Sequence, residues 1–210
     1  LDRHLETQPD KIAYIWEPND PADQSKTFTY RQVHQEVCRI ANVLKQNGVQ
    51  KGDRICIYLP MIPELAFAAL ACARIGAIHS IVFAGFSSVS IADRINATGS
   101  FLVIPADGLN RASKQLNLKA IMEEALESCP SVKRILVVKA TGTPVHMRRR
   151  RDSWLHDELE TVTDTCEAEE MDAEDMLYIL YTSGSTGKPK GVVHTIGGYM
   201  VFIDYTFRNV

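Results

Sequence analysis

The 210-residue sequence is short of the features that tie a chain to a special environment. It has no apolar run of membrane length: the most lipid-like stretch, Leu65 to Ala73, is stopped by Arg74, whereas a span needs about 20 residues. It has no excess of charge of one sign. A net charge of −3 offers no general attraction for nucleic acid or an anionic membrane, and neither is expected as a partner. Cys38, Cys56, Cys72, Cys129 and Cys166 are odd in number and contain no C-x-x-C pair, so no disulfide framework is legible. With Cys56 and Cys72 on apolar faces, the expectation is reduced, buried thiols in a cytoplasmic compartment. No two histidines sit three to five residues apart, and no metal site is expected. No internal repeat, signal peptide or transit peptide is read. There is no initiator methionine, and the apolar stretch from Gly197 to Val210 stops without a cap or a glycine, as in an internal fragment.

What is present alternates. Lys11 to Trp16 and Thr27 to Tyr30 read as a hairpin around a polar, proline-containing turn. Thr29 with Gln32 forms a capping box for a helix whose buried face is Val33, Val37, Ile40, Ala41 and Leu44, closed by Gly48. Strand patterns at Ile55–Leu59, Ile78–Phe83, Phe101–Ile104 and Ile135–Val138 are then interleaved with helices. These run from Pro63 to Ile75, from Ser87 to Ile95 and from Leu118 to Leu126. Such alternation predicts an α/β fold with a mostly parallel sheet and helices on both faces. Ligands on such sheets bind beyond the carboxyl ends of strands, which draws attention to Phe83-Ala84-Gly85-Phe86 and to the loop after Ile104. Taken alone, Arg111 and Lys114 in that loop read as a solvated pair of charges. His146 to Arg151 reads as a solvated basic loop, and Glu158 to Asp175 as a solvated acidic linker.

The linker leads to Met176-Leu177-Tyr178-Ile179-Leu180, a run suited to a strand buried on both faces. Tyr181-Thr182-Ser183-Gly184-Ser185-Thr186-Gly187-Lys188-Pro189-Lys190-Gly191 follows. Its glycines allow consecutive N–H groups to converge on an anion, and its hydroxyls and lysines add donors and charge. Thr182, Ser183, Gly184, Ser185, Thr186, Gly187, Lys188 and Lys190 are therefore expected to bind a polyphosphate. The P-loop of kinases and NTPases is a poor match: Pro189 stands where a magnesium-binding hydroxyl belongs, and Gly191 to Thr195 reads as a strand where a helix is required. His194, near the loop, is read either as a ligand contact or as a hydrogen-bonded strand-end histidine.

This phosphate loop resembles that of the adenylate-forming acyl-CoA synthetases. Pro60-Met61-Ile62-Pro63-Glu64, Leu70 to Ala77, Val82 to Ser87 and Arg151 to His156 resemble the acetate–CoA ligase branch of that superfamily. The resemblance implies that residues 1–210 are part of the large N-terminal, AMP-binding domain, with the small C-terminal domain absent. It implies ATP, Mg2+ and coenzyme A as co-substrates and cofactors, and a short-chain carboxylate, acetate or propionate among others, as the group activated. It also implies coenzyme A contacts at Phe83, Ala84, Gly85, Arg111, Ala112, Ser113 and Lys114. Lys114 replaces the second of two family arginines, and Ala84 the first of two glycines. In Arg151 to His156, Leu155 stands for a family tryptophan, and Trp154 and His156 are expected to pack. The family takes its adenine and carboxylate pockets and its adenylation lysine from later segments, so no catalytic residue is expected here. A non-catalytic module that binds nucleotide or coenzyme A stays open as the alternative.

Overall fold

The structure is a computed structural model that describes residues 1–20, 23–111, 114–182 and 189–210. A short helix α1 (Asp2–Leu5) precedes an antiparallel hairpin of β1 (Ile12–Trp16) and β2 (Lys26–Thr29). Helix α2 (Tyr30–Gln46) starts from the expected capping box: the Gln32 amide donates to Thr29 Oγ1, and the Thr29 amide donates to Gln32 Oε1 at 2.9 Å. Its inward stripe, Val33, Val37, Ile40, Ala41 and Leu44, is fully buried.

The central sheet follows. β3 (Arg54–Tyr58), α3 (Pro63–Arg74), β4 (Ile78–Ile81), α4 (Ser88–Thr98) and β5 (Leu102–Pro105) come first. A small hairpin of β6 (Leu109–Arg111) and β7 (Lys114–Leu116) leads to α5 (Leu118–Leu126) and β8 (Arg134–Val137). β9 (Asp152–Trp154), α6 (Leu155–Leu159), β10 (Met176–Thr182), β11 (Lys190–Thr195) and α7 (Ile196–Asn209) complete the chain. The strand order is β11-β10-β4-β3-β5-β8-β9, parallel throughout except for the β10–β11 pair. The step from β3 to β4 and the step from β4 to β5 run in opposite directions along the sheet. Right-handed crossovers then put α3 on one face and α4 with α5 on the other. The helix contacts agree: α2 packs on α3, and α4 on α5. The buried side chains of β3, β5 and β8 form one core with these helices, and the half-buried Ile81 of β4 packs against it.

Four expectations need correction. β10 is not buried on both faces, since Met176 and Leu180 are exposed. Among the described residues only β11 lies beyond it at the sheet edge, and α7, which borders β11, buries none of its residues. The segment after β5, read as a loop, forms the β6–β7 hairpin, in which Arg111 faces Lys114. The segment from Glu158 to Asp175 is no free linker. Asn42 Nδ2 donates to the Thr163 and Thr165 carbonyls at 2.9 Å, Arg74 Nε to the Cys166 carbonyl at 2.6 Å, and Lys51 Nζ to the Glu170 carbonyl at 2.8 Å. Loop carbonyls supply the acceptors, and composition alone does not reveal them.

The basic run is only half solvated. Arg149 and Arg150 are exposed, but Arg151 and Arg148 pair with Glu123 of α5, and Arg151 Nε also meets Asp152 Oδ1 at 2.6 Å. Lys119 is 1% exposed; its Nζ lies 2.9 Å from Asp152 Oδ2 and also bonds Glu123. Burial pushes the Asp152 carboxyl up, but hydrogen bonds from Arg151, the Arg148 amide and Lys119 outweigh it and leave the group below its ordinary range. Glu123 is lowered in the same way, by Lys119 and Arg151 against burial.

Candidate functional site

The parallel strands deliver their carboxyl ends to one rim of the sheet. The loops after β3 and β5 leave that rim toward opposite faces, the arrangement that opens a ligand crevice in doubly wound sheets. A cleft of about 650 Å³ lies there. Leu59 and Met61 follow β3, Phe83 and Ala84 follow β4, and Gly108 to Arg111 follow β5; the β1–β2 hairpin adds Trp16. Trp16 is fixed by its indole N–H, which donates to the Met61 carbonyl at 2.8 Å. Asn19 Nδ2 donates across to the Asn110 carbonyl at 3.3 Å. Phe83 is 62% exposed and Ala84 is buried. A Cβ added to Gly85 would sit 3.0 Å from the Phe83 ring and 3.9 Å from the Arg111 guanidinium, so these segments meet closely. Phe83, Ala84, Gly85 and Arg111 are thus brought together. Lys114 faces Arg111 across the small hairpin but is not among the described residues that line the cleft. Ala112 and Ser113 lie outside the described residues. Trp16 and Asn19 carried no local signal, because only the return of the first hairpin puts them beside Met61 and Asn110.

The phosphate-loop expectation is framed by its stem. Thr182 pairs with Lys190 at the end of the β10–β11 ladder, and both are exposed. β10 thus ends at Thr182, β11 begins at Lys190, and α7 follows β11 from Ile196. Ser183, Gly184, Ser185, Thr186, Gly187 and Lys188 lie outside the described residues. Because β10 runs parallel to β4, its Thr182 end lies at the same rim as the cleft.

Arg94 of α4 joins the two regions. It is 9% exposed, and its guanidinium carbon lies 4.6 Å from the centre of the Phe86 ring and 5.4 Å from that of Tyr181. Its Nη1 donates to the Ser90 carbonyl at 2.7 Å. A cation held between two rings and shielded from water is worth about 2 kcal/mol. Arg94→Ala is expected to lower unfolding free energy by about that amount in urea titrations; a loss within error of zero would remove Arg94 as the link.

His194 stacks on Tyr178 at 4.4 Å between ring centres, and Tyr178 stacks in turn on His79 at 5.5 Å. This aromatic packing, shared with Tyr199, is a role that neither reading of His194 named. Trp154 and His156 pack side by side at 5.5 Å, around a buried Leu155. All five cysteines are free, and burial pushes the Cys56 and Cys72 thiols up to about 12, beyond useful nucleophilicity. Among the described residues no cluster of histidine, cysteine, aspartate and glutamate could hold a metal ion, and no helix is long and apolar enough to cross a membrane.

Comparison with known proteins completes the picture. The chain is 56% identical over all 210 residues to the acetyl-coenzyme A synthetase of Bdellovibrio bacteriovorus, covering 33% of that protein. It is 57% identical to that of Parvibaculum lavamentivorans, covering 32%. The chain therefore spans about a third of the length of these relatives. Among solved structures, acetoacetyl-CoA synthetase from Streptomyces lividans matches 95% of the chain and 30% of its own, with a TM-score of 0.86 at 26% identity. A family profile described as AMP-binding enzyme matches residues 1–208, and the chain belongs to that family.

Proposed function

We propose that residues 1–210 form part of the large N-terminal domain of an acetate–CoA ligase. Such an enzyme converts ATP, acetate and coenzyme A to acetyl-CoA, AMP and pyrophosphate through an acetyl-adenylate. The observation that carries the proposal is identity of more than half over the full 210 residues to acetyl-coenzyme A synthetases. The loop from Thr182 to Lys190 would hold the ATP phosphates, neutralising the charge that develops on departing pyrophosphate. Magnesium would arrive with the triphosphate, whose oxygens suit it. The cleft at Phe83, Ala84, Gly85 and Arg111 would take coenzyme A: Arg111 offers a fork for phosphate, and Phe83 and Trp16 offer flat apolar faces. Ala112, Ser113 and Lys114 would extend this contact. Acetate, ATP and coenzyme A are the proposed partners, in the cytoplasm; propionate or another short carboxylate is the runner-up.

Titration of the purified chain with ATP and with coenzyme A tests both sites. Binding of each is expected, with no acetate-dependent ATP–pyrophosphate exchange, since the chain spans a third of its relatives' length. A lysine about 4 Å from a phosphate oxygen is worth roughly 4 kcal/mol at an effective dielectric near 20, and solvent removes much of it. Lys188→Ala is expected to weaken ATP about tenfold and to leave coenzyme A unchanged. Equal affinity of both chains for ATP would sink the phosphate-loop assignment.

A further inference from the structure

Asp107 is fully buried beneath the cleft, directly after β5, and the family reading gives it no task. Its Oδ1 accepts the backbone N–H of Gly108 at 2.7 Å, of Ala140 at 2.8 Å and of Thr141 at 3.0 Å. These amides belong to two separate loops. Gly108 begins the segment that carries Asn110 and Arg111, and Ala140 and Thr141 follow β8; all of them line the cleft. The backbone ties converge as well: the Asp107 amide donates to the Val138 carbonyl at 2.9 Å. Oδ2 has no hydrogen-bond partner among the described residues. A buried carboxylate oxygen left unpaired is costly, so its retention asks for a compensating role. The fit above it is tight: a Cβ on Gly108 would stand 2.3 Å from Thr143 Oγ1 and 2.4 Å from Thr141 Oγ1.

We propose that Asp107 is the positioning residue of the coenzyme A cleft, clamping the loops after β5 and β8 together so that Arg111 is presented at a fixed distance from the opposite wall. The proposal rests on the reading of this cleft as the coenzyme A site. Asp107 touches no ligand; it acts through three amides whose hydrogen bonds a charged acceptor strengthens. Two consequences follow. Removing the acceptor frees both loops at once, and any group that keeps an oxygen in the Oδ1 position keeps most of the clamp.

The test titrates the unaltered chain, Asp107→Ala and Asp107→Asn with coenzyme A and, separately, with ATP. Asp107→Ala is expected to weaken coenzyme A at least about tenfold, or about 1.4 kcal/mol, with ATP affinity unchanged. Asp107→Asn is expected to stay within about threefold of the unaltered chain. Parallel loss of both ligands would reduce Asp107 to a general stabiliser and overturn the proposal. So would an Asp107→Ala chain that binds coenzyme A normally, which leaves the cleft reading intact. Failure of the unaltered chain to bind coenzyme A would remove the cleft reading and the proposal together. Amide exchange of the unaltered chain keeps the idea testable if Asp107→Ala does not fold. Gly108, Ala140 and Thr141 are expected to exchange at least tenfold more slowly than Gly142, and free exchange at all three would overturn the clamp.

Discussion

Asp152→Ala is expected to lower the unfolding free energy by about 3–5 kcal/mol, the usual result of stranding one partner of a buried ion pair. The Asp152 side chain is wholly buried, and Lys119, its partner at 2.9 Å, is 1% exposed. Without Asp152, the Lys119 ammonium keeps the His146 carbonyl at 3.3 Å, and Glu123 as its one charged partner, which Arg151 and Arg148 also claim, so positive charge is left in excess inside the protein. For a chain of this length the loss corresponds to a fall in Tm of about 10 °C. The double variant Lys119→Met with Asp152→Leu is expected to recover most of it, because Arg151 and Glu123 still neutralise each other and apolar groups fill the space. Thermal melts of the three chains decide the matter. A single variant that melts with the parent would mean that water reaches the cluster.

Acidification from pH 6.5 toward 4 is expected to bring the second large loss, through His79. Burial holds its imidazole down at about 4, against an ordinary value near 6.5, and its Nδ1 has no partner among the described residues. The sign follows from proton counting. The unfolded chain takes up a proton as pH falls through 6.5 while the folded chain refuses it until about 4, so stability is whole above 6.5 and drains between the two values. The slope approaches about 1.4 kcal/mol per pH unit within that window. The carboxyls of Asp152 and Glu123 are shifted downward, so their stabilisation is present above the unfolded carboxylate range and lost only at lower pH. Urea titrations at pH 7, 6, 5 and 4 should therefore show a decline that His79→Phe largely abolishes. An unchanged slope in His79→Phe would assign the acid sensitivity elsewhere.

Much of the scaffold was legible because local chemistry and long-range packing agree. The capping box at Thr29, the proline opening α3 and the glycine after it all act within a few residues. The β-rich runs at Ile55, Leu102 and Ile135 fit a sheet covered on both sides. β10 shows where such inference fails: an apolar run says that a strand prefers burial, not which elements will cover it. The cleft was half legible. Phe83 and Arg111 could be singled out at strand ends, and the resemblance gave them a role. Trp16, Asn19 and Asp107 could not, since their placement depends on a hairpin and on a loop after β8 that are distant in sequence. Arg148 and Arg151 of the basic run were misjudged for a related reason, because Glu123 becomes their neighbour only after α5 docks beside β9.

Gly48 and Gly52 reverse the chain at the amino ends of the strands, with φ near +85° and open space around each. That end of the sheet is remote from every wall of the cleft and from the stem at Thr182. A fluorophore or affinity handle spliced into this hinge side would report on the protein, or immobilise it, while leaving the ligand approach unobstructed.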